Sequence, residues 1–308
     1  MKILLAGATG TLGSELVSQL IDAGHTVIGL CRTEAGAGRL AAAGAESVLA
    51  DIMDQRGLLT ALEGRVADAV IHEATALTQT PTAHRHLYAT NALRDVGTTH
   101  LLRAAEAVGA HRFITQSFFL GYGYRDHGDD PVTEDAPFGV PAGDSFDRHL
   151  RSMLSNENQV LSAPGMDGIA LRYGLFYGPE VSTYTLADMA RKRRLPVSRP
   201  AGVTSPIHIV DAAAATVAAL ERGRGGEPYN IADDHPVGFD EYVRAIARAA
   251  AAPEPRRIPS WLLRATPYMH ALMVRTRIRL SNEKAKRELN WSPRFPSCHE
   301  GLSAIDWG

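Results

Sequence analysis

The sequence is poor in cysteine and has no strong excess of charge of either sign. Its only cysteines, Cys31 and Cys298, lie far apart in a chain of 308 residues. They are too few for a disulfide framework or a thiolate metal site, so we expect no structural metal and a reducing cytoplasm. The formal net charge of −2 gives no field that would hold a polyanion. Nucleic acid and anionic membranes are therefore not expected partners.

Long apolar runs are also missing. The N-terminal MKILLAGATG holds one lysine and a short apolar run, which is too little for a signal peptide. No later stretch reaches the apolar length of a membrane span. With 45% hydrophobic and 21% charged residues, the composition is that of a globular protein that can bury a large core.

Short apolar runs alternate with helical patterns in the first part of the chain. Strands are predicted at KILLA, TVIGL, ESVLA, DAVIH, RFITQ and GIALR. Helical patterns are predicted at 11–23, near 55–63, at about 84–108 and near 147–163. This βαβα order predicts an α/β fold with a doubly wound parallel sheet of the Rossmann type.

The alternation breaks after about residue 174, where prolines become frequent. We predict a dinucleotide-binding domain made of residues 1–173 and about 203–232. A smaller, discontinuous C-terminal substrate lobe would contain about 174–202 and 233–308.

The segment GATGTLG follows the first predicted strand and opens a helix. Gly7, Gly10 and Gly13 allow a tight turn and let backbone N–H groups approach a pyrophosphate at the helix N-terminus. The second predicted strand is followed by Arg32, with no acid to bind the ribose hydroxyls of NAD. Because an arginine accepts a 2′-phosphate, the pattern favours NADP, with NAD as the alternative.

Several motifs occur together along nearly the whole chain. They are GATGTLG, ADIMD, VIHEAT, LRYGLFYGP, SPIHIVDAAAA, EPYNIADD and SNEKAKRELNWSP, with Asn91 in the long helix. This set resembles the extended short-chain dehydrogenase/reductase superfamily, which includes NAD(P)-dependent epimerases and dehydratases. With the glycine motif, the resemblance implies cofactor contacts by Gly7, Thr9, Gly10, Thr11, Leu12, Gly13, Arg32, Asp51, Ile52, Ala74 and Thr75. For Asp51, an N-cap or turn role is the alternative.

The tyrosine and lysine that this superfamily uses for proton transfer are absent. No Tyr-x-x-x-Lys occurs in the chain, and residues 125–172 contain neither a tyrosine nor a lysine. Alignment on Glu157 in SNENQVL places His149 at the tyrosine position and Met153 at the lysine position. The chain therefore resembles an atypical branch of extended members that has changed or lost this apparatus.

Four residues are candidates to replace the missing pair. Ser117, Tyr122 and Tyr124 follow or end the fifth predicted strand, at the sheet edge where such folds bind ligands. His149 is a possible base near neutral pH. Each has an ordinary alternative, since tyrosines anchor loops and histidines occupy exposed helix positions.

Two classes of function follow from this pattern. The first is an NADP(H)-dependent oxidoreductase, epimerase or dehydratase that acts on a hydroxyl or carbonyl of a small organic molecule by non-standard proton transfer. The second is a catalytically silent sensor or scaffold that binds NADP(H). Analogy with extended members favours a homodimer.

Overall fold

The structure is a computed structural model that describes residues 1–77 and 81–307. Within those residues, seven parallel strands form the central sheet: β1 (Lys2–Ala6), β2 (Thr26–Cys31), β3 (Glu46–Leu49), β4 (Ala69–His72), β5 (Arg112–Phe118), β6 (Asp167–Tyr173) and β11 (Glu227–Ile231). Their order across the sheet is β11-β6-β5-β4-β1-β2-β3. This confirms the predicted doubly wound α/β fold.

Helices cover both faces of the sheet and build the rest of the chain. They are α1 (Thr11–Asp22), α2 (Glu34–Ala42), α3 (Gln55–Ala61), α4 (Tyr88–Ala92), α5 (Thr98–Val108), α6 (Asp147–Leu161), α7 (Val181–Arg191), α8 (Ile209–Arg222), α9 (Phe239–Ala249), α10 (Pro267–His270), α11 (Glu283–Leu289) and α12 (Cys298–Ser303). Short 3₁₀ turns lie at His84–Leu87, Phe119–Tyr122 and Ser260–Ala265, and π turns at Leu93–Gly97 and Ala271–Arg275. The predicted helix over 84–108 is therefore a series of helical segments.

Burial on both faces explains why the sheet strands are apolar throughout. In β1, Ile3 and Leu5 pack on the face covered by α1 and α8, whereas Leu4 and Ala6 pack on the face covered by α3 and α5. Successive side chains of a strand point to opposite faces, so a strand covered on both sides needs a continuous apolar run.

Short strand pairs and two further hydrophobic clusters lie beyond the sheet. The remaining strands are β7 (Leu175–Tyr177), β8 (Val197–Arg199), β9 (Val203–Thr204), β10 (Pro206–His208), β12 (Val237–Gly238) and β13 (Arg257–Pro259). One cluster joins the turn after β5 to α6, α9 and the segment 268–280, and the other packs α7 and α9 against α12. The division of the chain into a dinucleotide domain and a substrate lobe stays a prediction.

Candidate functional site

The glycine-rich turn after β1 is too crowded for other residues at two of its positions. Gly7 has a φ of +86°, and a Cβ there would lie 2.6 Å from the backbone carbonyl carbon of Glu73. A Cβ on Gly13 would lie 2.1 Å from the carbonyl oxygen of Gly7. Glycine is therefore required both for the left-handed turn and for the close packing of α1 on that turn.

The first turn of α1 is free to bind an anion. Its N-cap residue is Gly10, and no side chain of the described residues caps the helix. The N–H groups of the first turn have no acceptor within a helix, and the dipole there favours negative charge. With Thr9 and Thr11 beside them and Leu12 buried below, these residues fit the pyrophosphate of a dinucleotide.

The other predicted cofactor residues lie at the same carboxyl edge of the sheet. Arg32 is exposed and directly follows β2. Asp51 accepts a hydrogen bond of 2.9 Å from the backbone N–H of Met53, which is the turn role given as its alternative. Ile52 is buried, and Ala74 and Thr75 are partly exposed just after β4. Their cofactor roles stay predictions.

Ser117 belongs to a buried ion-pair network. Its hydroxyl donates to Oε1 of Glu157 at 2.5 Å. Arg172 binds the same carboxylate through Nε at 3.0 Å and Nη2 at 2.7 Å. All three residues are at most 5% exposed. The hydroxyl of Ser117 therefore holds the carboxylate that links α6 to β6.

Tyr122 is tied to the same network. Its hydroxyl donates to Oδ1 of Asn230 at 2.8 Å and accepts from Nη1 of Arg172 at 2.8 Å. Burial raises the pKa of Tyr122 to about 12, although Arg172 opposes the shift. The hydroxyl of Tyr122 is held by both a donor and an acceptor, and it resists ionisation. Tyr122 therefore anchors the loop, which is the alternative to a catalytic role.

Tyr124 lies in the cluster that joins the turn after β5 to the C-terminal region. Its ring centroid is 4.0 Å from that of Phe146 and 6.4 Å from that of Tyr268. Burial raises the pKa of Tyr124 above its ordinary value. The ring is 6% exposed, so its main observable role is to pack the loop against this cluster.

His149 is buried inside a hydrogen-bonded chain. Its Nδ1 lies 2.9 Å from the side-chain nitrogen of Asn91, and its Nε2 lies 2.9 Å from Nδ1 of His84. Since an amide nitrogen only donates, Nδ1 accepts and Nε2–H donates to His84. Nε2 of His84 in turn lies 3.2 Å from the exposed hydroxyl of Ser145.

The surroundings of His149 keep it neutral. Desolvation, with smaller contributions from the neighbouring His84, Arg94 and Arg148, lowers its pKa to about 4. Met153, one turn along α6 at the lysine position, is 1% exposed and packs in the cluster around Tyr124. The positions of the missing pair therefore hold a neutral imidazole and an apolar side chain.

Three functional candidates were not found from the sequence. His84 reaches His149 from a turn 65 residues earlier in the chain, and Arg94 lies on the π turn Leu93–Gly97. Glu73 follows β4, and burial raises its pKa to about 8. The one signal for Glu73 was a carboxylate in the otherwise apolar VIHEAT motif. The positions of His84 and Arg94 carried no such signal.

His72 at the end of β4 is a structural residue. Its Nδ1 accepts from the backbone N–H of Ala74 and its Nε2 lies 3.3 Å from the carbonyl oxygen of Leu93. Desolvation lowers the pKa of His72 to about 4. Both ring nitrogens are satisfied, so this residue fixes the turn beside the glycine motif.

No helix within residues 1–77 and 81–307 is long and apolar enough to cross a bilayer. The same ranges contain no group of three or more histidine, cysteine or acidic side chains arranged to hold a metal ion.

The turn, the sheet edge and the helix order agree with one known family. Residues 3–232 match the NAD dependent epimerase/dehydratase family. The chain belongs to this family. Its solved structural neighbours include a UDP-glucose 4-epimerase from Thermotoga maritima, at 22% identity and a TM-score of 0.80. That comparison covers 98% of this chain and 96% of the epimerase chain, and it shows the fold that the family shares.

The relatives of the chain include reductases. The chain is 34% identical over 310 residues to a 3-diazoavenalumate denitrifying reductase from a Streptomyces species, with 98% of this chain and 99% of the relative covered. It is 26% identical to a ketoreductase of a farnesyl dihydroquinoline oxide from Stigmatella aurantiaca, with 99% and 96% covered. The chain thus lies in an oxidoreductase and epimerase family whose members include reductases of small organic molecules.

Proposed function

We propose that the protein is an NADP(H)-dependent reductase of a small organic molecule whose reaction needs no acid from the protein. The observation that carries the proposal is the pair of side chains at the missing tyrosine and lysine positions. Met153 has no proton to give, and burial lowers the pKa of His149 to about 4. A reaction that combines hydride transfer with protonation of the substrate would lack its usual proton donor in this protein.

Reductive loss of a diazo group is a reaction of the required kind. When bound, the reduced nicotinamide supplies a hydride, which forms the new C–H bond while the C–N bond breaks and dinitrogen leaves with that bond's electron pair. An arenediazonium ion plus hydride gives the arene plus dinitrogen, so no proton is taken up or released. The name of the Streptomyces relative, a denitrifying reductase of a diazo compound, supports this class.

The residues of the chain have separate tasks in this reaction. The turn from Gly7 to Gly13 and the first turn of α1 bind the pyrophosphate. The buried rings of Tyr124 and Phe146 exclude water from the edge of the sheet. Water exclusion protects a diazo group, because hydrolysis competes with its reduction.

Isotope labelling tests the proposal on the wild-type protein. We expect 3-diazonio-4-hydroxybenzoate to be reduced with NADPH that carries deuterium at the nicotinamide C4. The deuterium should appear at the carbon that lost nitrogen, and unlabelled NADPH in deuterated water should leave that carbon unlabelled. His149→Gln should reduce turnover by less than about 10-fold, since removal of a general acid usually costs about 10²-fold or more.

Two outcomes would overturn this proposal. One is the absence of NADPH consumption with the diazonium probe while the cofactor still binds, which would favour the silent sensor. The other is solvent deuterium at the reduced carbon. The thermal unfolding midpoint of His149→Gln must match that of the wild type before its turnover is compared.

Carbonyl reduction is the second candidate, and one observation favours it. The hydrogen-bonded chain from His149 through His84 to Ser145 connects the tyrosine position to an exposed hydroxyl. Asn91 and His84 occupy both ring nitrogens of His149, so delivery of a proton to an alkoxide along this chain requires one of those hydrogen bonds to break. The ketoreductase relative is consistent with this reaction. Carbonyl reduction would place one solvent hydrogen on the product oxygen, and His149→Gln would then lose more turnover than is expected for the diazo reaction.

We also propose NADP(H) as the preferred cofactor, because Arg32 is an exposed cation at the end of β2. We expect NADP to bind more tightly than NAD, and Arg32→Ala to remove most of the difference. The effect should be roughly 1–3 kcal/mol, the size of a charge-assisted contact. Titration calorimetry with both cofactors measures it.

Arg65→Ala is the matched control for this experiment. Arg65 pairs with Glu46 at the amino end of β3, away from the carboxyl edge of the sheet. Its loss should leave both affinities unchanged. Equal affinity of the wild-type protein for NADP and NAD would refute the assignment of Arg32.

The cellular setting that we propose is a cytoplasmic homodimer. Cys31 and Cys298 are both free and buried, which is consistent with a reducing compartment. The helical segments over 84–108 and α6 lie side by side, and by analogy with extended family members they would meet a second copy.

A further inference from the structure

Arg94 is a cation with no anionic partner among the described residues. Its guanidinium makes no hydrogen bond or ion pair with any residue in 1–77 or 81–307, although the side chain is partly buried. Desolvation lowers the pKa of Arg94. A partly buried charge without a partner is costly for the folded state. Such a charge therefore points to a ligand that supplies the partner.

Arg94 lies beside the candidate substrate position. The carbonyl oxygen of the preceding residue, Leu93, lies 3.3 Å from Nε2 of His72, and the side chain of Asn91 binds Nδ1 of His149 at 2.9 Å. The charge of Arg94 also acts on the phenols of Tyr124 and Tyr268. None of these neighbours is a carboxylate, so nothing among them neutralises the guanidinium.

Two other cations of this region have partners. The guanidinium of Arg148 lies 4.1 Å from the ring centroid of Tyr88. Arg275 pairs with Asp144 at 3.3 Å. Arg94 is distinguished by being partly buried as well as without a partner within the described chain.

Flat rings surround His149, since its ring centroid lies 5.1 Å from that of His84 and 6.3 Å from that of Phe146. The ring of Phe146 lies 4.0 Å from Tyr124, 4.6 Å from His84 and 6.0 Å from Tyr268, measured between centroids. Aromatic side chains favour stacked or edge contacts with other rings. A ligand with a planar, conjugated body suits these walls better than a sugar does.

We propose that Arg94 binds the carboxylate of a flat aromatic or conjugated acid, which is the substrate class of the proposed reductase. The role of this acid as a substrate rests on the proposed function, whereas the anion site itself rests on the contacts described above. A guanidinium recognises a carboxylate through two parallel hydrogen bonds. The cofactor pyrophosphate is assigned elsewhere, because its site is the first turn of α1.

Binding of an acid and its neutral amide tests the site without any turnover. The probes are trans-cinnamate and trans-cinnamamide, titrated by calorimetry into the protein saturated with NADP⁺. We expect wild-type protein to bind cinnamate at least about 10-fold more tightly than cinnamamide, the effect of one charge-assisted contact. Arg94→Gln should bind both probes equally weakly, and Arg94→Lys should retain part of the preference.

Arg103→Gln is the matched control. Arg103 lies on α5, is exposed and pairs with Glu106, so its loss should change neither probe affinity. Because Arg94 has no described partner and its burial is costly, Arg94→Gln should unfold at or above the wild-type midpoint and keep the wild-type affinity for NADP⁺. A lower midpoint would mean a structural role for Arg94, and a weaker NADP⁺ affinity would mean a cofactor role. Either result overturns the inference.

The remaining outcomes are equally decisive. If the wild-type protein binds acid and amide equally, or binds neither, the carboxylate site does not exist. If cinnamate binds as expected but the diazonium probe is not reduced, the proposed reductase fails while the anion site stands. If the diazonium probe is reduced with equal efficiency by Arg94→Gln, the proposed function stands and this substrate contact fails.

Discussion

Replacing Glu157 by glutamine is expected to destabilise the protein by about 3–5 kcal/mol, the usual cost of breaking a buried ion pair. The Glu157 and Arg172 side chains are 2% and 6% exposed and lie 2.7 Å apart. The substitution keeps the shape of the side chain but leaves the guanidinium without a counter-charge. It also weakens the hydrogen bond from Ser117. Urea unfolding at neutral pH measures the difference.

Glu106→Gln provides the surface comparison. Glu106 pairs with Arg103 at 3.0 Å, and both side chains are more than half exposed. Exposed pairs contribute little, so this variant should lose less than about 1 kcal/mol. A loss in Glu157→Gln as small as that of the surface variant would show that the buried network does not hold α6 to β6.

Replacing Glu73 by glutamine is expected to stabilise the protein at pH 8 and to have almost no effect at pH 5. Burial raises the pKa of Glu73 from 4.5 to about 8, and its Oε2 has no partner among the described residues. Because the folded-state pKa is the higher one, the folded state favours the neutral acid. Stability is then fully present below pH 4.5 and is lost as pH rises toward 8. At about 1.4 kcal/mol per pH unit, the loss amounts to several kcal/mol.

The measurement is a series of urea unfolding curves for both proteins between pH 5 and pH 8.5. Asp233 also has its pKa raised to about 8 by burial, but it is present in both proteins and cancels in the difference. Glu46→Gln, at an exposed position, should run parallel to the wild type. Parallel curves for Glu73→Gln and wild type would mean that Glu73 is already ionised or solvated in the folded state.

The glycine-rich turn after β1 was predictable because its determinants are local. GATGTLG encodes its own turn, and crowding at Gly7 and Gly13 leaves no other residue type possible. The apolar run of β1 likewise indicates a strand covered on both faces. Helix α7 was missed because VSTYTLADMAR is rich in β-branched residues and lies between prolines. Its start is fixed by Glu180, whose carboxylate accepts from the N–H groups of Ser182 and Thr183.

The substrate half was not predictable from local pattern. The sequence established that Tyr-x-x-x-Lys is absent, and that fact alone directed attention to other proton donors. It gave equal weight to Tyr122, Tyr124 and Ser117, since each follows or ends the same strand. Only the tertiary structure places Tyr122 between Asn230 and Arg172, and Ser117 against Glu157.

The sequence by itself determined the fold class, the dinucleotide turn and the loss of the usual catalytic pair. The tertiary structure alone brought His84 to His149 across 65 residues and left the partly buried Arg94 without an anionic partner among the described residues. Turns and strands are decided within a few residues, by the steric limits on the backbone and by the spacing of apolar residues along the chain. The partner and pKa of a buried charge depend on desolvation by segments that meet only after folding.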